Sequence, residues 1–181
     1  MIDYLGRFGI EDLTGVDLQG EVSQPFAKKN SWYPVDLATK GFGQGISITP
    51  IELLSAFSAI ANKGIRMEPH VVGKVETPDG KISKIPPKIL GRPISEQTAK
   101  IMTEILVNAV NKGEASWTRI KGYRIAGKTG TASIPVKGHY ESNQTIASFV
   151  GFAPSDNPKF VMLVILDRPT ASIYGAETAA P

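Results

Sequence analysis

Lys128, Thr129, Gly130 and Thr131 form an unbroken run inside Ala126-Gly-Lys-Thr-Gly-Thr-Ala132, and two chemistries can be written for them. In the first, Gly122-Tyr-Arg-Ile-Ala-Gly127-Lys128-Thr129 satisfies the letter of a phosphate-binding P-loop, the mark of an NTPase. Such a loop needs a buried strand before it, and a helix starting near the lysine so that the helix N-terminus faces phosphate. Tyr123, Arg124 and Ile125 are too bulky for a flexible loop interior. Gly130, Pro135 and Gly138 would break a following helix within two turns. In the second chemistry the run is an extended strand, whose alternation puts Lys128 and Gly130 on one face and Thr129 and Thr131 on the other. A ligand lying along the strand's edge meets both sets. A fixed cation and two hydroxyls suit a carboxylate, glycine lets a backbone approach closely, and an outward N–H at Thr131 suits an oxyanion. An ordinary strand with a surface lysine gives the same tripeptide, so the surrounding segments must decide.

The elements that would carry this run can be read from pattern. Gly6 to Glu21 and Gln24 to Gly45 are rich in glycine, aspartate and proline and read as surface loops with little regular structure. Thr49-Pro50-Ile51-Glu52 combines a capping threonine, proline at the first helical position and glutamate at the third. A helix from Pro50 to about Asn62, ended by Gly64, follows; it is apolar almost all round and should be buried on most sides. Val71 to Ile85 reads as a hairpin closed by Asp79-Gly80. A second helix, Glu96 to Asn111, is capped by Ser95 and stopped by Gly113, with Met102, Ile105, Leu106 and Ala109 as its apolar stripe. Three strands come next, at about Tyr123–Ser133, Thr145–Phe152 and Phe160–Asp167. The last two are joined by the turn-rich Ala153–Pro158, short enough to force an antiparallel pair.

Several ordered segments together resemble the class B penicillin-binding proteins. Phe8-Gly9 and Thr14-Gly-Val-Asp-Leu-Gln-Gly-Glu21 come first, then Trp32-Tyr-Pro-Val-Asp-Leu-Ala-Thr39, Phe42-Gly-Gln-Gly45 and Thr49-Pro50. Ala126 to Ala132 follows, then Ala147-Ser-Phe-Val-Gly-Phe-Ala-Pro154 and Tyr174-Gly175 before Ala-Ala-Pro. The resemblance covers nearly the whole chain. It implies an α+β fold, that of penicillin-binding proteins and serine β-lactamases: a five-stranded antiparallel sheet flanked by helices, of which this chain would hold three strands. Phe160–Leu166 would be a central strand of that sheet, and left unpaired it would be an apolar edge of the kind that aggregates.

The implied activity is that of a peptidoglycan D,D-transpeptidase, with Lys128, Thr129, Gly130 and Thr131 lining the pocket for the substrate carboxylate and oxyanion. A D-Ala-D-Ala stem peptide would be the substrate, β-lactams the trapping ligands, and other cell-wall synthesis proteins the partners. The resemblance also places the parent protein in the bacterial cytoplasmic membrane, the domain facing the periplasm or cell exterior.

The family's nucleophile is the serine of Ser-x-x-Lys, and no serine here has lysine three residues later. Residues 1–181 are therefore expected to be a partial transpeptidase domain without the Ser-x-x-Lys and Ser-x-Asn portion and without the C-terminal helix, inactive alone. Ser155-Asp156-Asn157 spells Ser-x-Asn but follows Lys-Thr-Gly and falls between two prolines, where Asp and Asn serve as turn formers. A non-catalytic descendant that binds peptide is the alternative within the same resemblance.

The remaining features exclude more than they suggest. The 181 residues carry a net charge of +3, but lysines and arginines are scattered and no nucleic-acid patch forms. Cysteine is absent, which removes disulfides and thiolate metal sites. His70 and His139 lie far apart without ligand-spaced neighbours, and Gly41, Gly43 and Gly45 lack dinucleotide-fold spacing, so no metal or cofactor is expected. Trp32, Tyr33 and Tyr174 are expected to pack, and Glu52 to cap its helix. Neither a signal peptide nor a membrane anchor is expected after Met1, and both chain ends read as cut edges.

Overall fold

A computed structural model describes residues 1–24, 32–136 and 139–181. Gly138 and the His139 side chain lie outside the described residues, as does 25–31 of the segment read as loop. Three helices precede the first strands: α1 (Ile2–Arg7), α2 (Pro34–Gly41) and α3 (Pro50–Ala61). Short strands β1 (Arg66–Met67) and β4 (Ile89–Gly91) pair around the hairpin of β2 (Lys74–Glu76) and β3 (Ile82–Lys84). Helix α4 (Glu96–Lys112) leads through a 3₁₀ turn into β5 (Ala126–Val136), β6 (His139–Ala153) and β7 (Phe160–Asp167), and α5 (Gly175–Thr178) follows.

The α3 start is built as its sequence dictates. The Glu52 backbone N–H donates to Thr49 Oγ1 at 3.3 Å, and the Thr49 N–H returns a bond to Glu52 Oε2 at 2.7 Å. Glu52 is also buried and accepts from the Glu11 N–H at 3.1 Å, so the capping carboxylate ties the N-terminal segment to α3. No residue from Ile51 to Ala61 is fully exposed, as expected of a helix apolar all round.

Three expectations need correction. Residues 34–41 form a helix where loop was expected: Pro34 starts it and the Asp36 carboxylate accepts from the Tyr33 N–H at 2.9 Å, so proline here initiates a helix instead of ending one. The buried stripe of α4 is Ala99, Leu106, Val107 and Val110, while Ile105 is 54% exposed; the true 3.6-residue stripe runs one position away from Ile105. Tyr33 and Tyr174, expected to pack, are largely exposed.

Strands β5, β6 and β7 form one antiparallel sheet in sequence order, with Ala126 opposite Phe152 and Phe152 opposite Val161. Phe152 and Ala126 are buried against Leu106 and Val107 of α4, and Phe57, Ile60 and Ala61 of α3 pack on the same cluster. Burial of Phe152 contributes about 2–3 kcal/mol. On the opposite face, Thr145 Oγ1 donates to the Ile173 carbonyl at 2.7 Å, and the Gly175 N–H donates to Thr131 Oγ1 at 3.0 Å. These two bonds fix the start of α5 over the sheet.

Candidate functional site: the free edge of β5

Because β6 has a neighbour on each side, its backbone groups must be divided between them, and the loop bonds reveal how. The carbonyls of Thr145 and Ala153 accept from Arg168 and Lys159 on the β7 side, at 2.9 and 3.0 Å. Odd-numbered β6 residues therefore face β7, and the even-numbered ones face β5. Their register partners on β5 are Ala126, Lys128, Gly130 and Ala132. Thr129 and Thr131 consequently turn their own N–H and C=O groups away from β6, onto an edge with no strand partner among the described residues.

Side chains follow the complementary alternation. Lys128 and Gly130 share the face of Ala126 and Phe152, whereas Thr129 and Thr131 share the α5 face. Lys128 is exposed, and its Nζ bonds the Thr129 carbonyl at 2.9 Å. The four residues singled out from sequence are thus brought together along one edge, with an ammonium, two hydroxyls and two outward N–H groups within a few residues. No helix begins at Lys128, so the P-loop arrangement is absent and the NTPase reading falls.

The glycines are set by close approach. A Cβ on Gly130 would lie 2.5 Å from Ser148 Oγ, and one on Gly127 2.5 Å from Phe149 Cζ. A side chain at either place would have to displace the Ser148 hydroxyl or the Phe149 ring. Below the strand, a cleft of about 270 Å³ opens between the C-terminus of α4 (Ala109, Val110, Gly113) and Gly127, Lys128 and Thr129. A second cleft of about 460 Å³, between Lys63, Glu96, Arg124 and Asp156, includes none of the four residues.

Two participants escape sequence reasoning. Gln44 Nε2 donates to the Thr131 carbonyl at 3.4 Å across 87 positions, and Gly175 holds the Thr131 hydroxyl. The sequence marks Gln44 as part of Phe42-Gly-Gln-Gly45, one of the segments that carry the resemblance, but not as a partner of β5; it sits between two glycines with positive φ in a turn after α2. Ser155-Asp156-Asn157 lies in the β6–β7 turn, as expected, with the Ser155 N–H on the Arg124 carbonyl at 2.8 Å. It has no part in this edge. Among the described residues, no group of three or more His, Asp and Glu is placed to hold a metal ion, and no helix is long and apolar enough to cross a membrane.

An antiparallel sheet with helices on both faces and a Lys-Thr-Gly strand at its rim defines a penicillin-recognising domain. Residues 1–181 match the family model described as penicillin binding protein transpeptidase domain, and the chain belongs to that family. It is 38% identical over its whole length to stage V sporulation protein D of Bacillus subtilis, and 34% identical to peptidoglycan D,D-transpeptidase FtsI of Escherichia coli. It spans 28% and 29% of the length of those two proteins. The crystal structure of penicillin binding protein 3 from Mycobacterium tuberculosis complexed with aztreonam superposes with a TM-score of 0.87 at 32% identity, covering 93% of this chain and 40% of that one. The same protein complexed with ampicillin gives 0.86 at 33% identity, over 93% and 39% of the two chains.

Proposed function

We propose that the protein containing this chain is a penicillin-binding peptidoglycan D,D-transpeptidase, and that residues 1–181 supply the substrate-positioning half of its site. One observation carries the reading: the free edge of β5 presents Lys128 and Gly130 on one face, Thr129 and Thr131 on the other, and two backbone N–H groups outward. A stem peptide ending in D-Ala-D-Ala lies along that edge. Its terminal carboxylate meets the Lys128 ammonium and the threonine hydroxyls, a charge-assisted set of bonds. The scissile carbonyl oxygen takes the outward N–H of Thr131, which stabilises the oxyanion as it forms.

The acyl-accepting serine, in a Ser-x-x-Lys motif, and a Ser-x-Asn element come from sequence outside these residues. Its oxygen bonds the peptide carbonyl carbon, the terminal D-Ala leaves with the proton, and the amine of a second strand then displaces the serine. A β-lactam stops at the first of these two stages. The parent protein sits in the cytoplasmic membrane with this domain outside, works with other cell-wall synthesis proteins, and completes a five-stranded sheet beside β7.

The test is covalent labelling of the full-length protein with a fluorescent penicillin, followed by denaturing electrophoresis. A labelled band that ampicillin competes away and that Lys128→Ala weakens supports the reading. Correctly folded full-length protein that takes no label would make this domain a non-catalytic peptide binder instead.

A further inference from the structure

Of the carbonyls that β5 turns outward, those of Thr129 and Thr131, within the Lys128–Thr131 run, are already covered by the chain's own donors. Lys128 Nζ holds the Thr129 carbonyl, and Gln44 Nε2 holds that of Thr131. The two outward N–H groups have no such cover among the described residues. At Thr129 and Thr131, then, the edge offers donors and withholds acceptors. An extended peptide that adds to a strand edge needs both, because each outward residue gives one N–H and takes one.

We infer that Gln44 is a specificity-determining residue: its side-chain amide occupies the acceptor that a ligand's own amide N–H requires, so ligands that carry an amide N–H must displace it before they are acylated. The contact is built to yield. At 3.4 Å it is longer than the 2.9–3.0 Å typical of a strong N–H···O bond. Gln44 rides on a turn whose flanking residues, Gly43 and Gly45, have φ of 93° and 71°, and whose backbone is held to α2 through the Gln44 N–H on the Thr39 carbonyl at 3.1 Å. The side chain can therefore swing off Thr131 while the turn stays attached to the helix. A ligand lacking an amide N–H meets only the free N–H groups of the strand and leaves Gln44 in place.

This inference rests on the transpeptidase reading of the β5 edge. The test compares acylation of the full-length protein by ampicillin, which carries an acylamino N–H, with acylation by penicillanic acid, the same bicyclic nucleus without that group. The quantity read is the ratio of the two second-order rate constants. Gln44→Ala, and Gln44→Met, which keeps side-chain length but has no donor, should each raise the ratio of ampicillin to penicillanic acid about three- to tenfold, the worth of one modest hydrogen bond. Thermal melts of both variants identify any loss of fold, and a change in rate from general loosening moves both compounds together. A ratio that stays put or falls in both variants overturns the role of Gln44 while leaving the transpeptidase reading intact. If wild-type protein is acylated by neither compound, the transpeptidase reading fails, and this inference with it.

Discussion

The two outer strands of the sheet have opposite characters. The β5 edge carries threonine, glycine and a lysine, with backbone donors turned outward and Gly175 packed closely behind it. Strand β7 carries Phe160, Met162 and Ile165 with half or nearly half of their surface exposed, on both faces of the strand. A polar edge that binds an extended ligand needs rigid support and little bulk. An apolar strand left at an edge is a template for pairing with another chain. On the reading proposed above, the same three-strand ribbon has one side fitted for recognition and one side open to further pairing.

The largest effect should come from the support behind β5. A Cβ at Gly175 would lie 2.3 Å from the Gly130 carbonyl oxygen and 2.7 Å from that of Ser148, and both are backbone atoms that cannot swing aside. Gly175→Ala should cost about 3 kcal/mol in thermal or denaturant unfolding of the full-length protein. It should also abolish most penicillin labelling, because the Gly175 N–H bond to Thr131 is lost with the displacement. A variant that melts like the wild type would show that α5 does not brace the edge.

Lys128→Ala comes next and acts differently. Lys128 is exposed, and its bond is to its own strand, so its removal should leave the melt where it was. Loss of one charge-assisted contact to a carboxylate should slow acylation about ten- to a hundredfold. A fall in stability without a fall in acylation rate would reverse the contrast drawn between support and recognition. On the other edge, Met162→Lys in the isolated 181-residue chain should increase the soluble monomer seen by gel filtration, by placing a charge on the aggregating strand. If the wild-type chain is already a soluble monomer with a cooperative melt, β7 is not the liability proposed.

How much of this was legible follows from the range of each signal. Thr49-Pro50-Ile51-Glu52 and Ser95 state their helix starts within four residues, and period-two runs with a turn between them state β6 and β7. The strand carrying Lys128–Thr131 was legible because the run is contiguous and alternation sorts its side chains, while its proposed role as a site came from the resemblance of the surrounding segments. Helix α2 was hidden by its own punctuation, since Pro34 and the glycines after it read equally as loop. The Gln44 contact was hidden by distance: Phe42-Gly-Gln-Gly45 carries part of the resemblance, but nothing in it points to a strand 87 positions away. Glu52 was half legible, its cap written in sequence and its hold on Glu11 visible only in three dimensions.

The smallest effect lies far from either edge, at the tether of the β2–β3 hairpin. The Asp17 carboxylate accepts from the N–H groups of Val71 and Val72 at 2.7 and 2.9 Å. These bonds, Val71 first, hold its carboxyl below the ordinary value of 3.8. A folded value lower than the unfolded one means that the tether contributes fully above the unfolded value and is lost as pH falls through the folded one. The amide resonances of Val71 and Val72 should therefore hold steady at neutral pH and move together only in acid, with a midpoint below that of a free aspartate. Asp17→Asn should remove that titration while leaving penicillin labelling near the wild-type level, because no described bond connects the tether to β5. A midpoint at or above 3.8 would mean that the carboxylate is solvated instead of held, leaving the β1–β4 pairing as the hairpin's anchor among the described residues.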